Sequence, residues 1–183
     1  MASDFSIRHA ANIIRRGGVL AYPTDTIYGL GCDPFNRQAV ERINLIKKRP
    51  LSKHFILLAG SIEQLEMLLD IDDLQKKTIL QTTRPTSWIV KASRNAPSWL
   101  TDSEHQLTIR ISQHPLVQRL CQLLGYAIIS TSANPSGRHP AKNSIQIHQY
   151  FHSSVDNILA SHRQLAARPS TIIRLSDNYI IRE

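Results

Sequence analysis

The chain has 183 residues, 42% hydrophobic and 20% charged, with 7 Gly and 9 Pro. That size suits one sizeable domain, able to bury roughly 70% of its unfolded surface without a disulfide or metal staple, and the composition excludes disorder, collagen-like repeats and coiled coil. Lys and Arg total 22 against 14 Asp and Glu, a net charge of +8, which points to anionic partners: phosphates, nucleotides or nucleic acid.

In chain order, Ile7, Ala10, Ala11 and Ile14 keep helical spacing over residues 4–16, and Gly17-Gly18 end the segment. Residues 19–22 form a short apolar strand entering a Pro-Thr-Asp-Thr turn. A second helix is predicted over 37–48, with Asn36 as N-cap, Val40, Ile43 and Ile46 inward, and Pro50 as its stop. Residues 54–59 read as a buried strand, and Ser61 to Gln64 fits a capping box opening a helix through Leu65, Leu68 and Leu69. A helix over 72–80 and a strand over 88–92 follow. Leu107, Ile109 and Ile111 alternate with Thr108 and Arg110, the pattern of a half-buried strand. His114-Pro115 opens a helix that Gly125 stops, and residues 127–130 form a strand. A loop over 135–143 precedes a helix over 144–151 and short strands near 157–159, 171–175 and 179–182.

This mixture predicts one α/β domain over residues 1–183 with a mixed sheet. No stretch approaches the roughly 20 apolar residues of a membrane span, and the N-terminal segment carries Asp4 and is apolar on one face only. A cytoplasmic location without membrane attachment is therefore expected. The two cysteines, Cys32 and Cys121, form no CxxC pair and read as core residues.

Open α/β sheets bind ligands at the carboxyl ends of their strands. Two such junctions are rich in hydroxyl and amide groups: Thr24-Asp25-Thr26, and Ser130-Thr131-Ser132-Ala133-Asn134. They suit phosphate or carboxylate oxygens, although the same residues are ordinary turn formers. Lys47, Lys48 and Arg49 are the densest basic run, compatible either with a helix macrodipole or with a polyphosphate clamp. Arg110 faces away from Leu107, Ile109 and Ile111, either into solvent or into a cleft as a carboxylate clamp. There is no Walker A sequence, GxGxxG or HExxH. Positioning and electrostatics, as in phosphoryl or nucleotidyl transfer, are the catalysis such a site would offer.

Tyr22-Pro-Thr-Asp-Thr-Ile-Tyr-Gly-Leu-Gly-Cys-Asp33 resembles the signature of the threonylcarbamoyl-adenylate synthases, the YrdC-like family. The similarity continues in order through Lys47-x-Arg49, Arg110 with His114-Pro115, Ser130-Thr-Ser-Ala-Asn-Pro-Ser-Gly137 and Arg168-Pro-Ser-Thr-Ile-Ile173. It covers nearly the whole chain and matches the short, single-domain members. The sequence departs from the family pattern at Thr82-Thr83-Arg84-Pro85, where a Trp-Pro-Gly-Pro is common, and at Lys53 and Leu58, where Asn and His are frequent.

The resemblance implies a twisted, mixed parallel and antiparallel sheet flanked by helices, with a deep basic cavity. It implies formation of threonylcarbamoyl-AMP and pyrophosphate from L-threonine, bicarbonate or CO2, and ATP. The product would pass through threonylcarbamoyl-transfer proteins to the adenosine beside the tRNA anticodon. Carried over by position, Thr26, Arg110 and Ser170 match threonine contacts, with Arg110 on the carboxylate. Arg49 matches an ATP contact and Lys47 lines the same basic pocket, the pair forming the expected catalytic set. Ser130, Ser132 and Asn134 match the turn holding the adenylate, and Arg182 a late nucleotide-contacting arginine. No protein metal site is expected, and Mg2+ would be held chiefly by the ATP phosphates. The alternative from another class is a non-catalytic double-stranded RNA or tRNA-binding maturation factor using the basic surface. A third reading is an adenylate-forming enzyme for another acceptor.

Overall fold

The computed structural model describes residues 3–48, 55–160, 165 and 169–183. Helix α1 (Asp4–Arg15) is capped by the Ser3 side chain and buries Ile7, Ala10, Ala11 and Ile14, the stripe set by its spacing. Strands β1 (Leu20–Pro23) and β2 (Tyr28–Gly31) form a hairpin around the hydroxyl-rich turn. Helix α2 (Arg37–Lys47) starts at the Asn36 cap and ends at Lys48 in the left-handed conformation. Strand β3 (Ile56–Ala59), helix α3 (Asp73–Leu80) and strands β4 (Thr86–Lys91) and β5 (Gln106–Ile111) follow. Helix α4 (Pro115–Leu124) ends on Gly125 at φ +86°, and β6 (Ile128–Ser132) leads to α5 (Ser144–Phe151). The last strands are β7 (Asn157–Ile158), β8 (Thr171–Arg174) and β9 (Tyr179–Arg182).

The described strands form one sheet in the order β7-β1-β2-β6-β3-β5-β4-β8-β9. β1 with β7, β3 with β5, and β4 with β8 run parallel, and the remaining pairs are antiparallel. Among the described residues no helix is long and apolar enough to cross a membrane.

Two expectations change. The segment after Ser61 is two 3-10 turns, Ile62–Gln64 and Glu66–Leu68, rather than one α-helix. The Gln64 side chain does accept from the Ser61 N–H, but Leu69 is extended and bridges Ala92, which halts the helix. Strand β2 was not predicted. Its Tyr-Gly-Leu-Gly sequence has weak strand propensity, and it is a strand because β1 and β6 flank it on both sides.

The two sheet faces differ, and the difference creates the site. On one face Val40 and Ile43 of α2, Ile79 of α3, and Ile147 and Phe151 of α5 cover the sheet in a large core. On the other, α1 and α4 pack on Leu20, Tyr22, Leu58 and Ile128, and that layer stops there. Two residues along β3 and β6 from Leu58 and Ile128, on the same face, Ile56 and Ser130 line an open cavity. Both cysteines lie in these cores, Cys32 in the larger and Cys121, on α4, in the smaller.

Tyr22 ties the hairpin to β6. Its hydroxyl crosses β2 and donates to the Ile129 carbonyl at 3.0 Å. The crossing passes over Gly31, where an added Cβ would stand 2.2 Å from the Ile129 oxygen and 2.9 Å from the Tyr22 hydroxyl. Neither backbone nor buried phenol can yield at such distances. Gly31→Ala is therefore expected to cost about 3 kcal/mol, and Tyr22→Phe about 1 kcal/mol, read from urea midpoints at unchanged slope. A Gly31→Ala protein as stable as wild type would contradict this packing.

Candidate active site

The cavity has a volume of about 260 Å³ and is built from four hydroxyl-bearing segments. The β1–β2 turn supplies Thr24 and Thr26, β5 supplies Thr108 and Arg110, and β6 supplies Ser130, Thr131 and Ser132. Ser170 and Ile172, at and inside the start of β8, form the fourth side with Arg182 of β9. Two described residues of its lining are cationic and none is acidic.

Arg110 is 4% exposed, so the cleft reading of the sequence holds and the solvent-face reading does not. Alternation along β5 sends Leu107 and Ile109 into the large core and Arg110 to the cavity. Its Nη1 donates to Thr26 Oγ1 at 3.3 Å, and its Nη2 lies 3.4 Å from Asp25 Oδ1. Its Nε is buried with no hydrogen-bond partner. Burial lowers the guanidinium pKa, and the Asp25 charge opposes that shift. Arginine stays cationic across any physiological range, so this is a fixed charge in a dry setting.

The turn sets the hydroxyl directions. Thr24 Oγ1 donates to the Ile27 carbonyl at 2.7 Å, which occupies its only proton. In its 3.0 Å contact with Thr26 Oγ1, Thr26 is then the donor and keeps its lone pairs for Arg110. Across the cavity, Ser170 Oγ is 2.8 Å from Ser87 Oγ, and its carbonyl accepts from Arg182 Nε at 3.2 Å and Nη2 at 2.8 Å. Burial and the nearby Arg110 charge both lower the Arg182 pKa. The two arginines therefore share one field.

Thr26, Arg110, Ser130, Ser132, Ser170 and Arg182 thus meet around one space. Lys47 and Asn134 do not line it. Lys47 is buried, and its ammonium donates to the carbonyls of Ser132 and, at 2.7 Å, Asn134. Its own carbonyl accepts from the Ser136 N–H at 2.9 Å. Lys47 braces the end of β6 from beneath, where the sequence reading had it facing the pocket. Asn134 donates to the Pro135 and Arg138 carbonyls, which shapes the loop. Ser132 belongs to β6, which runs two residues further than predicted. Arg49 and Lys53 lie outside the described residues, as does Arg168.

Asp25 was missed. It stood in the recognised turn, but no neighbour in sequence marked it, because its partners Arg110 and Ser112 lie far along the chain. Among the described residues no cluster of three His, Cys, Asp or Glu side chains could hold a metal ion.

The fold and cavity define an α/β protein that offers hydroxyls and guanidinium groups to a small anionic or zwitterionic ligand. Residues 12–183 match the Sua5/YciO/YrdC family model, described as telomere recombination, and the chain belongs to that family. A threonylcarbamoyl-AMP synthase of Pseudomonas aeruginosa is 41% identical over 184 residues, covering 100% of this chain and 99% of that protein. Among solved structures, E. coli YciO superposes with a TM-score of 0.87 at 28% identity, covering 99% of this chain and 90% of that one. P. abyssi Sua5 complexed with L-threonine superposes at 0.88 and 28% identity over 95% of this chain. This chain spans 52% of that longer protein.

Lys47→Met keeps the stem and removes the ammonium that donates to the half-buried Ser132 and Asn134 carbonyls. It is expected to lower stability by about 1–2 kcal/mol. Urea unfolding reads this directly, and unchanged stability would return Lys47 to a purely solvent- or ligand-facing role.

Proposed function

We propose that this chain is a threonylcarbamoyl-AMP synthase, a nucleotidyltransferase that joins L-threonine, bicarbonate or CO2, and ATP into threonylcarbamoyl-AMP and pyrophosphate. The observation that carries the reading is Arg110, a desolvated cation with an unpartnered Nε, set beside Thr26 in a cavity whose lining combines hydroxyl-bearing side chains, apolar residues and Arg182. The full-length similarity to curated synthases supports the same substrates.

In this mechanism Arg110 receives the threonine carboxylate, with Thr26 and Ser170 fixing its orientation. The free amine takes up bicarbonate with loss of water, or CO2 with loss of a proton, to give an N-carboxylate. One carboxylate oxygen then attacks the α-phosphorus of ATP, and the bond from that phosphorus to the bridging oxygen breaks to release pyrophosphate. Ser130 and Ser132 offer hydrogen bonds to the adenylate, and Arg182 offers fixed positive charge to the phosphates without reorganisation. Arg49 remains the proposed partner of the polyphosphate. Magnesium is proposed to enter on the ATP phosphates. Transfer of the product to tRNA would fall to separate threonylcarbamoyl-transfer proteins in the cytoplasm.

Purified protein given labelled bicarbonate, threonine and ATP is expected to form labelled threonylcarbamoyl-AMP with one pyrophosphate per product. Arg110→Lys, which loses the planar fork, is expected to raise the threonine KM roughly 30- to 100-fold with little change in the ATP KM. Folded protein that releases no threonine-dependent pyrophosphate would overturn the synthase reading. If it bound RNA but neither ATP nor threonine, the maturation-factor reading would replace it.

A further inference from the structure

Asp25 is not required by the steps above, yet it is the carboxylate ion-paired with Arg110. Its side chain is 11% exposed, and it is absent from the described cavity lining, so it stands behind the guanidinium rather than facing a ligand. Ser112 Oγ donates to the same Oδ1 at 3.2 Å and in turn accepts from the His114 N–H, the N-cap residue of α4. The carboxylate is thereby anchored to the β5–α4 junction, while its Oδ2 is buried without a partner.

The two cations of the cavity consequently differ. Arg110 is compensated by a buried anion, whereas Arg182 donates to the Ser170 carbonyl and pairs with no described carboxylate. Arg110 is therefore close to charge balance, and Arg182 carries net positive charge. A zwitterionic amino acid brings no net charge to the balanced guanidinium. A phosphate brings multiple negative charges, and a buried carboxylate next to the receiving guanidinium repels them strongly in a medium that screens poorly.

We propose that Asp25 is a specificity-determining residue: by balancing Arg110, it lets that guanidinium take an amino-acid carboxylate and refuse phosphate oxyanions, leaving these to Arg182. This rests on the synthase reading for the identity of the amino acid. It works by repulsion of the wrong ligand, since both substrates carry anionic groups that an isolated arginine would bind. ATP phosphates misplaced at Arg110 would block threonine, and Asp25 removes that dead-end complex.

The test is titration calorimetry of the full chain with L-threonine and with inorganic phosphate, comparing wild type, Asp25→Asn and Asp25→Glu, with thermal melts to confirm folding. Asp25→Asn is expected to bind phosphate on the order of tenfold more tightly, in competition with threonine, because one like charge is gone. Asp25→Glu is expected to restore the wild-type preference, which a purely structural role for the carboxylate shape would not do. Folded Asp25→Asn protein with phosphate affinity unchanged overturns the proposal. If Asp25→Asn does not melt cooperatively, Asp25→Ser removes the charge while keeping a hydrogen-bonding group. Tighter phosphate binding in competition with threonine then supports the proposal, and no change overturns it. Wild-type protein that binds no threonine overturns the synthase reading instead, and the phosphate titrations still report whether Asp25 screens Arg110.

Discussion

The molecule is arranged around a buried guanidinium. Arg110 sits on a strand flanked on both sides, and an unpaired charge in such a place would cost several kcal/mol. Its compensation comes from Asp25 and Thr26, both in the β1–β2 turn and more than 80 residues earlier in the chain. That turn must therefore be held over the far side of the sheet. The Tyr22 hydroxyl, reaching across Gly31 to Ile129, provides this hold, and the early end of the α1–α4 layer leaves Arg110 room to face a cavity.

The signature residues consequently divide by what they touch. Thr26, Arg110, Ser130, Ser132, Ser170 and Arg182 face the cavity, whereas Tyr22, Gly31 and Lys47 build the frame that places them. Lys47 shows the distinction most clearly, because its ammonium is spent on backbone carbonyls at the end of β6. The net charge of +8 narrows in the same way. Arg8, Arg37 and Lys76 sit in exposed ion pairs, which contribute little to stability. Arg110 and Arg182 are the cationic side chains among the described residues of the cavity lining.

Much of this was legible in the sequence. Periodicity and caps located α1, α2 and α4 closely, because each presents one apolar stripe and a recognisable stop. Strand β2 escaped because its two glycines remove local preference, and only its neighbours in the sheet make it a strand. Alternation set Arg110 opposite the core side chains, but whether that face met water or a cleft depends on where the helix layer ends. Asp25 lacked any local mark, since an ion pair between distant segments exists only after folding. The direction of the Lys47 ammonium was likewise undetermined, because a long stem at a helix end can turn to a ligand or to a carbonyl.

The central claim is that one cavity holds threonine at Arg110 beside ATP near Arg182. Thermal unfolding with each ligand alone and with both tests it most directly, since a ligand that binds only the folded chain raises its midpoint. The account predicts that threonine and ATP together stabilise wild-type protein by more than the sum of their separate effects. In folded Arg110→Ala protein, the threonine contribution should vanish while the ATP shift remains. An undiminished threonine shift in that variant, or no threonine shift in wild type with ATP present, would contradict it.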